Sequence, residues 1–184
     1  MMTHDEAMAL LRSHVNAENL VNHLLAVEAA MGAYARKLGQ DEAKWALTGL
    51  LHDIDYEEFP TMQDHPWRGA GWLEAAGLPP DVVYAVKAHG NNLGLPREDP
   101  LSKALYAVDE LTGFIVAVAL VRPSKKIADV EVKSVTKKMK DKSFAAAVNR
   151  EEMVKSAQEL GVDFNEHVAT VLEAMKAIAG RIGL

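Results

Sequence analysis

Leu50-Leu51-His52-Asp53-Ile54-Asp55 closes an apolar stretch, Trp45-Ala46-Leu47-Thr48-Gly49-Leu50-Leu51, with an imidazole and a carboxylate side by side. A His-Asp pair emerging from a buried element can hold one metal ion between its side chains. Further candidate ligands lie on both sides of it in the chain. His23 precedes the pair, His65 and His89 follow it, and Asp109 is the next well-placed acid. Cysteine is absent, which excludes disulfides, thiolate metal sites and thiol nucleophiles and leaves His, Asp and Glu as the strong ligands.

Outward from that stretch, the pattern is helix after helix. Thr3 with Glu6 forms a capping-box signal for a first helix to about His14. A second helix from about Ala17 to Leu38 carries Leu20, Leu24, Val27, Met31, Tyr34 and Leu38 at three-to-four spacing, and Gly39 stops it. A third is expected from about Asp41 to Asp53. A loop with Pro60 and several acids follows, Ile54 to Asp64. Pro66 opens a fourth helix that ends before Gly77, and Pro79-Pro80 opens a fifth reaching His89. Gly90 to Pro96 is loop chemistry. Asp99-Pro100 starts a sixth helix that carries Asp109 and continues to Val121, where Arg122-Pro123 breaks it. Val130 to Met139 reads as helix in this setting, although Val130, Val132 and Val135 alternate. Ser143 to Asn149, Glu151 to Leu160 and Asn165 to Ala179 also read as helical. The fold class is therefore all-α, a multi-helix bundle.

With 184 residues and 49% apolar composition, the chain is long enough for one well-packed domain over 1–184. The metal-site core spans about 19–113, and a helical C-terminal extension spans about 123–184. Net charge is -6, which argues against bulk nucleic-acid binding but says nothing about a local basic patch, and nucleic acid is not an expected partner. The N-terminal run has no cationic start or apolar signal core, and Phe114 to Val121 is too short to cross a bilayer. A cytoplasmic location and no membrane partner are expected.

Each candidate ligand also has a plain structural reading. His23 on a mostly apolar helix can be a packed, hydrogen-bonded residue. His65 can begin a helix in solvent, and His89 before Gly90 can be a favourable cation at a helix C-terminus. Asp109 beside Glu110 can be an exposed acidic pair, and Asp53 can cap the following loop. His4, His14 and His167 have no partner in the pattern and are taken as surface or structural residues.

The order His, His-Asp, His, His, Asp on an all-helical scaffold resembles the HD-domain superfamily of metal-dependent phosphohydrolases, in the form with a His-Asp-Ile-Gly motif. The likeness covers roughly Asn19 to Gly113. It implies one metal on His23, His52, Asp53 and Asp109. In members with a second metal it also implies His65 and His89 as ligands, with Asp53 between the ions. Three departures stand out. The Gly usual after His-Asp-Ile is Asp55 here. The Gly-Tyr-Pro motif of the cyclic-dinucleotide branch is replaced by Pro66-Trp67-Arg68-Gly69-Ala70-Gly71-Trp72, and the Lys that tends to follow His-Asp-Ile-Gly in that branch is Tyr56, so that activity is not expected.

The resemblance implies hydrolysis of a nucleotide or other small phosphate ester by metal-activated water. A divalent ion lowers the pKa of a bound water toward ~7, and two ions serve both the attacking and the leaving oxygen. Iron, manganese, zinc, cobalt and nickel all suit such ligands. Asp53 and Asp55 are the carboxylates expected at the chemistry. Asp55 would hold a water or a ligating histidine, with loop capping as the alternative. Arg122, Lys125, Lys126, Lys133, Lys137, Lys138, Lys140, Lys142 and Arg150 crowd one segment. This is either a solvated face or a basic rim that attracts phosphate, with Lys137, Lys138 and the nearer Lys87 as substrate-binding candidates. Tyr56, Trp67 and Trp72 either wall a base pocket or belong to the core. Two rival readings stay open. One is a mixed-valence di-iron oxygenase, since the resemblance includes members that use the same six ligands to activate oxygen. The other is a non-catalytic module that binds a nucleotide and signals through its C-terminal third, against which the intact ligands argue.

Overall fold

Thr3 starts the first helix as the sequence predicts. Its hydroxyl accepts from the Glu6 backbone N–H, and the Glu6 carboxylate accepts from the Thr3 N–H at 2.7 Å. The computed structural model describes residues 2–184. Its helices are α1 (His4–His14), α2 (Glu18–Leu38), α3 (Glu42–Leu51), α4 (Trp67–Ala75), α5 (Pro80–Ala88), α6 (Pro100–Leu120), α7 (Val132–Met139), α8 (Arg150–Glu159) and α9 (Phe164–Ala177). Short 3-10 turns lie at Ile127–Asp129 and Ala179–Arg181, and no β-strand occurs among the described residues.

Local chemistry sets the helix ends. Asp41 accepts from the Lys44 N–H to begin α3, and Asp99 accepts from the Ser102 N–H to begin α6. Gly39 ends α2 in the left-handed region at φ 65°. The third helix stops at Leu51, two residues short of the sequence expectation, so His52 and Asp53 stand just past its end. One predicted helix is missing. Residues 143–149 form turns, because the Arg150 guanidinium collects the carbonyls of Asp141, Phe144, Ala145 and Val148. Of those carbonyls, Asp141 and Ala145 also accept turn bonds from the Phe144 and Val148 N–H groups, so the segment is closed by turns and a side chain and not by a helical ladder.

Packing centres on α2, which lies against α3, α6 and α9. Leu24, Val27, Met31 and Tyr34 of its predicted apolar face are fully buried. Val21, Ala26, Ala30 and Ala35 are buried as well, while Leu38 at the end is 37% exposed. Neighbours on several sides make the covered arc wider than one stripe. The closest approach is at Gly49. A Cβ there would sit 2.9 Å from the Val27 carbonyl and the Glu28 N–H, so α2 and α3 touch backbone to side-chain-free backbone. Gly49→Ala should cost about 1–3 kcal/mol, since the helices must separate to admit the methyl. Chemical denaturation of the two proteins measures this, and equal midpoints would contradict the contact.

His167 ties α9 to the interior. Its Nε2–H donates to the Ala107 carbonyl at 2.9 Å, and Nδ1 accepts from the Tyr34 hydroxyl at 2.6 Å. The ring is fully buried. Burial pushes its pKa down to about 4, against the opposing pull of the Ala107 bond. The unfolded chain binds this proton near pH 6.5 and the folded chain only near 4. The stabilisation is therefore complete above about pH 6.5 and is lost as pH falls toward 4. Its size is about 3 kcal/mol. His167→Gln should flatten the stability profile between pH 6.5 and 4 by roughly that amount. Urea unfolding at both pH values reads the difference directly, and parallel profiles would remove His167 as the cause.

Candidate metal centre

Five places in the chain deliver the site. His23 comes from α2, His52 and Asp53 from the residues just after α3, and His65 from the loop before α4. His89 comes from the end of α5, and Asp109 from the middle of α6. All six candidate ligands of the sequence reading converge. The Asp53 Oδ1 lies 3.6 Å from His52 Nε2, 3.4 Å from His65 Nε2 and 3.2 Å from His89 Nε2. The Asp109 Oδ1 lies 3.0 Å from His23 Nε2 and 3.4 Å from His52 Nε2. Two overlapping groups have ligand atoms all within 4.8 Å of one another. These are His23, His52 and Asp109, and His52, Asp53 and His89. His65 stands at the edge, close to Asp53 but outside both groups.

Ring orientation is fixed from behind. The His52 Nδ1–H donates to the Gly49 carbonyl at 2.8 Å, and the His89 Nδ1–H to the Val86 carbonyl at 2.6 Å. Both acceptors are carbonyls that a helix end leaves free. The His65 Nδ1–H donates to Asp55 Oδ1 at 2.8 Å, and His23 Nδ1 faces the Thr112 hydroxyl at 3.4 Å. With Nδ1 occupied, each ring presents Nε2 to the cluster. Asp55 is fully buried, and its second oxygen accepts from the Gly69 N–H at 2.7 Å. Both of its oxygens thus face His65 and the start of α4. Gly69 is required there, as a Cβ would meet the Asp55 carboxyl carbon at 3.0 Å.

The electrostatics favour a cation. Burial alone would push Asp53 up, but the His52 and His89 imidazoles outweigh it and hold its carboxyl well below the usual range. Asp109 is likewise held down, against burial, by His52 and His23. Burial disfavours a charged His89, yet the Asp53 carboxylate raises it to about 9. His52 is raised too, against burial, by Asp53 and Asp109. Even so, His52 Nε2 and Asp53 Oδ1 are buried without a hydrogen-bond partner. Such orphaned atoms are costly in a folded protein. Nitrogen and oxygen donors converging on one spot, with positive charge favoured between them, fit one or two divalent ions.

A pocket of about 400 Å³ opens over the cluster. Tyr56, Met62, Asn91, Tyr106, Glu110 and Glu152 line it alongside the ligands. Among the aromatic candidates only Tyr56 belongs to it. Trp67 lies under the Lys87 ammonium, and Trp72 stacks on His14. The expected substrate-binding Lys87, Lys137 and Lys138 are not among the lining residues. Lys87 is two residues before His89 and so points to another side of α5. Lys138 pairs with Asp141 at 3.2 Å and covers the Phe144 ring. Sequence reasoning missed Tyr106, Asn91 and Glu152. Tyr106 was within reach of it, three residues before Asp109 and hence on the same helix face. Glu152 carries no local signal, since α8 brings it from the C-terminal third.

Arg97 was also missed. It donates to the Ala88 carbonyl at 2.9 Å and to the Asn91 side chain at 3.0 Å, and its guanidinium lies 3.5 Å from the Tyr106 ring centre. It therefore locks the backbone beside His89 against α6.

Comparison with known proteins bears on this geometry. The HD-domain family model matches residues 20–113, just over half of the chain. Ribonuclease Y of Oleidesulfovibrio alaskensis is 30% identical over 98 residues, which is 53% of this chain and 18% of that protein. Ribonuclease Y of Syntrophobacter fumaroxidans is 33% identical over 98 residues, with the same shares. Ribonuclease Y 2 of Bdellovibrio bacteriovorus is 44% identical over 59 residues, 32% of this chain and 11% of that protein. The chain thus spans less than a fifth of the length of these relatives. No solved structure matches it. The expectation of a small phosphorylated substrate, with nucleic acid set aside, is corrected here, because these relatives are ribonucleases by name. Net charge is a whole-chain sum and, as the sequence reading allowed, does not describe any one surface. Among the described residues no helix is long and apolar enough to cross a membrane.

The family resemblance gives His65 and His89 to a second ion only and Asp53 to both. His65→Ala and His89→Ala should each lower the metal-to-protein ratio without emptying the site, whereas Asp53→Ala should strip it. Elemental analysis of the three folded variants checks this. A wild-type ratio in both histidine variants would mean a single ion held by His23, His52, Asp53 and Asp109.

Proposed function

The chain belongs to the HD-domain family, and from that premise we propose that it hydrolyses phosphodiester bonds of RNA with the help of divalent metal. The observation that carries the reading is the buried Asp53 Oδ1. It has no hydrogen-bond partner and three imidazole Nε2 atoms within 3.6 Å. The substrate class rests on the relatives named ribonuclease Y, which match 98 residues of the chain.

Divalent ions at this place would supply positive charge to the phosphoryl oxygens and acidify a water. The chain's own part is to hold and to orient. His23, His52, Asp53 and Asp109 are assigned the first ion, and His65, His89 and Asp53 the second. Asp55 acts as a positioning residue that keeps His65 Nε2 turned inward, and Arg97 does the same for the His89 backbone. The pocket is at the small end for ligand sites, with room for a nucleotide unit and not for a duplex. Tyr56 and Met62 offer apolar surface to a base, and Asn91 and Tyr106 offer polar groups. The ribonuclease names favour hydrolysis over the oxygenase alternative.

Single-stranded RNA incubated with protein reconstituted in turn with manganese, iron, cobalt, nickel and zinc should be cleaved with at least one of them. Asp53→Ala should lower the rate by about 10²–10³-fold while leaving the helical circular dichroism spectrum intact. RNA left uncut under every metal by a fully loaded wild-type protein would sink the assignment.

A further inference from the structure

A second cavity in the C-terminal third has Lys140, Arg150 and Lys155 among its lining residues, of which Arg150 is held by backbone carbonyls and Lys155 lies 3.5 Å from Glu159. Between Arg122 and Arg150 there are nine Lys or Arg residues against three acids, a local net of +6 in a chain of net -6. Among the described residues Lys125, Lys126, Lys137, Lys140 and Lys142 form no ion pair. Of these, Lys140 lines a groove of about 560 Å³ between α7, α8 and the start of α9. Met139, Val154 and Phe164 are half-buried in it. Lys140 and Lys155 are exposed at its edge, together with one acid, Glu151. An apolar floor with an aromatic ring and a cationic rim is the surface on which unpaired bases stack while their phosphates meet lysines. Paired bases in a duplex could not use that floor.

The groove also has a fixed relation to the metal pocket. Helix α8 sends Glu152 into the pocket and Val154 and Lys155 into the groove. One helix therefore separates them, roughly 10–12 Å, or about three nucleotides at ~3.4 Å per stacked step. The acidic wall of Glu110 and Glu152 gives no help in holding a polyanion at the pocket itself. Affinity for a strand has to come from elsewhere on the surface.

We infer that the groove between α7 and α8 is a second nucleic-acid site, which holds single-stranded RNA with bases over Met139, Val154 and Phe164 and phosphates beside Lys140 and Lys155. The inference rests on the proposed RNA substrate and names where that substrate is held.

The test uses the full chain and a fluorescein-labelled, unstructured oligouridylate, with EDTA present to stop cleavage. The Lys140→Gln, Lys155→Gln double variant should bind the strand about tenfold more weakly by anisotropy near 50 mM salt. Its slope of log affinity against log salt should be shallower by about 1.4, the value for two lost phosphate contacts on a single strand. The reversal Lys140→Glu, Lys155→Glu should weaken binding further. Metal content and turnover of bis(p-nitrophenyl) phosphate, a small diester that reaches only the metal pocket, should stay at wild-type values in both variants. If the wild type cleaves RNA but all three proteins bind it with superimposable salt curves, the groove assignment alone is wrong. If the metal-loaded wild type neither binds nor cleaves the strand, the RNA reading and the groove fall together.

Discussion

The approach of α3 to α2 at Gly49 is the constraint on which the site depends. With no side chain at that position, the backbone of α3 rests on the Val27–Glu28 peptide of α2. The His23 and His52 rings are thereby brought to 5.5 Å between centres. The same residue lends its carbonyl to the His52 Nδ1–H. One glycine thus sets both the helix spacing and the direction of the central imidazole. A larger residue would disturb the packing and the ligand geometry together, because in a close-packed interior they share the same atoms.

From that contact the centre is assembled by helix ends. His52 follows α3 and His89 follows α5, and each bonds a carbonyl of the turn it has just left. Terminal carbonyls need partners in any case, so the bond that completes the helix also selects the ring nitrogen that faces inward. Asp55 does for His65 what those carbonyls do for the other two rings. The result is a set of donors whose orientation is settled before any ion arrives. Their carboxylates are held ionised by neighbouring imidazoles, against the cost of burial. Donors fixed in this way meet a cation without further reorganisation.

Much of this was legible in the residues. Cap signals at Thr3, Asp41 and Asp99 and stops at Gly39 and Pro123 fixed the helix boundaries to within one or two positions through α6. The ligand order picked out six residues that meet in space. Legibility failed where long-range partners decide. Residues 143–149 have a helical composition, but the Arg150 guanidinium takes their carbonyls. The lysines of α7 suggested attraction toward the metal pocket, yet α7 packs against α6 and α9, and none of these lysines lines that pocket. Arg97 gave no signal, because its role arises from a backbone carbonyl and a ring that the chain folds around it.

The sequence by itself determined the helical class and the types and order of the candidate ligands, because capping, periodicity and metal chemistry are properties of neighbouring residues and side-chain atoms. Tertiary structure alone decided which ring nitrogen each histidine presents and that Asp55 stands behind His65. It also placed Glu152 of α8 at the mouth of the pocket, with the basic groove on the other side of the same helix. Those outcomes depend on distances between segments far apart in the chain, and such distances are set by how helices pack around a shared core, not by any local pattern.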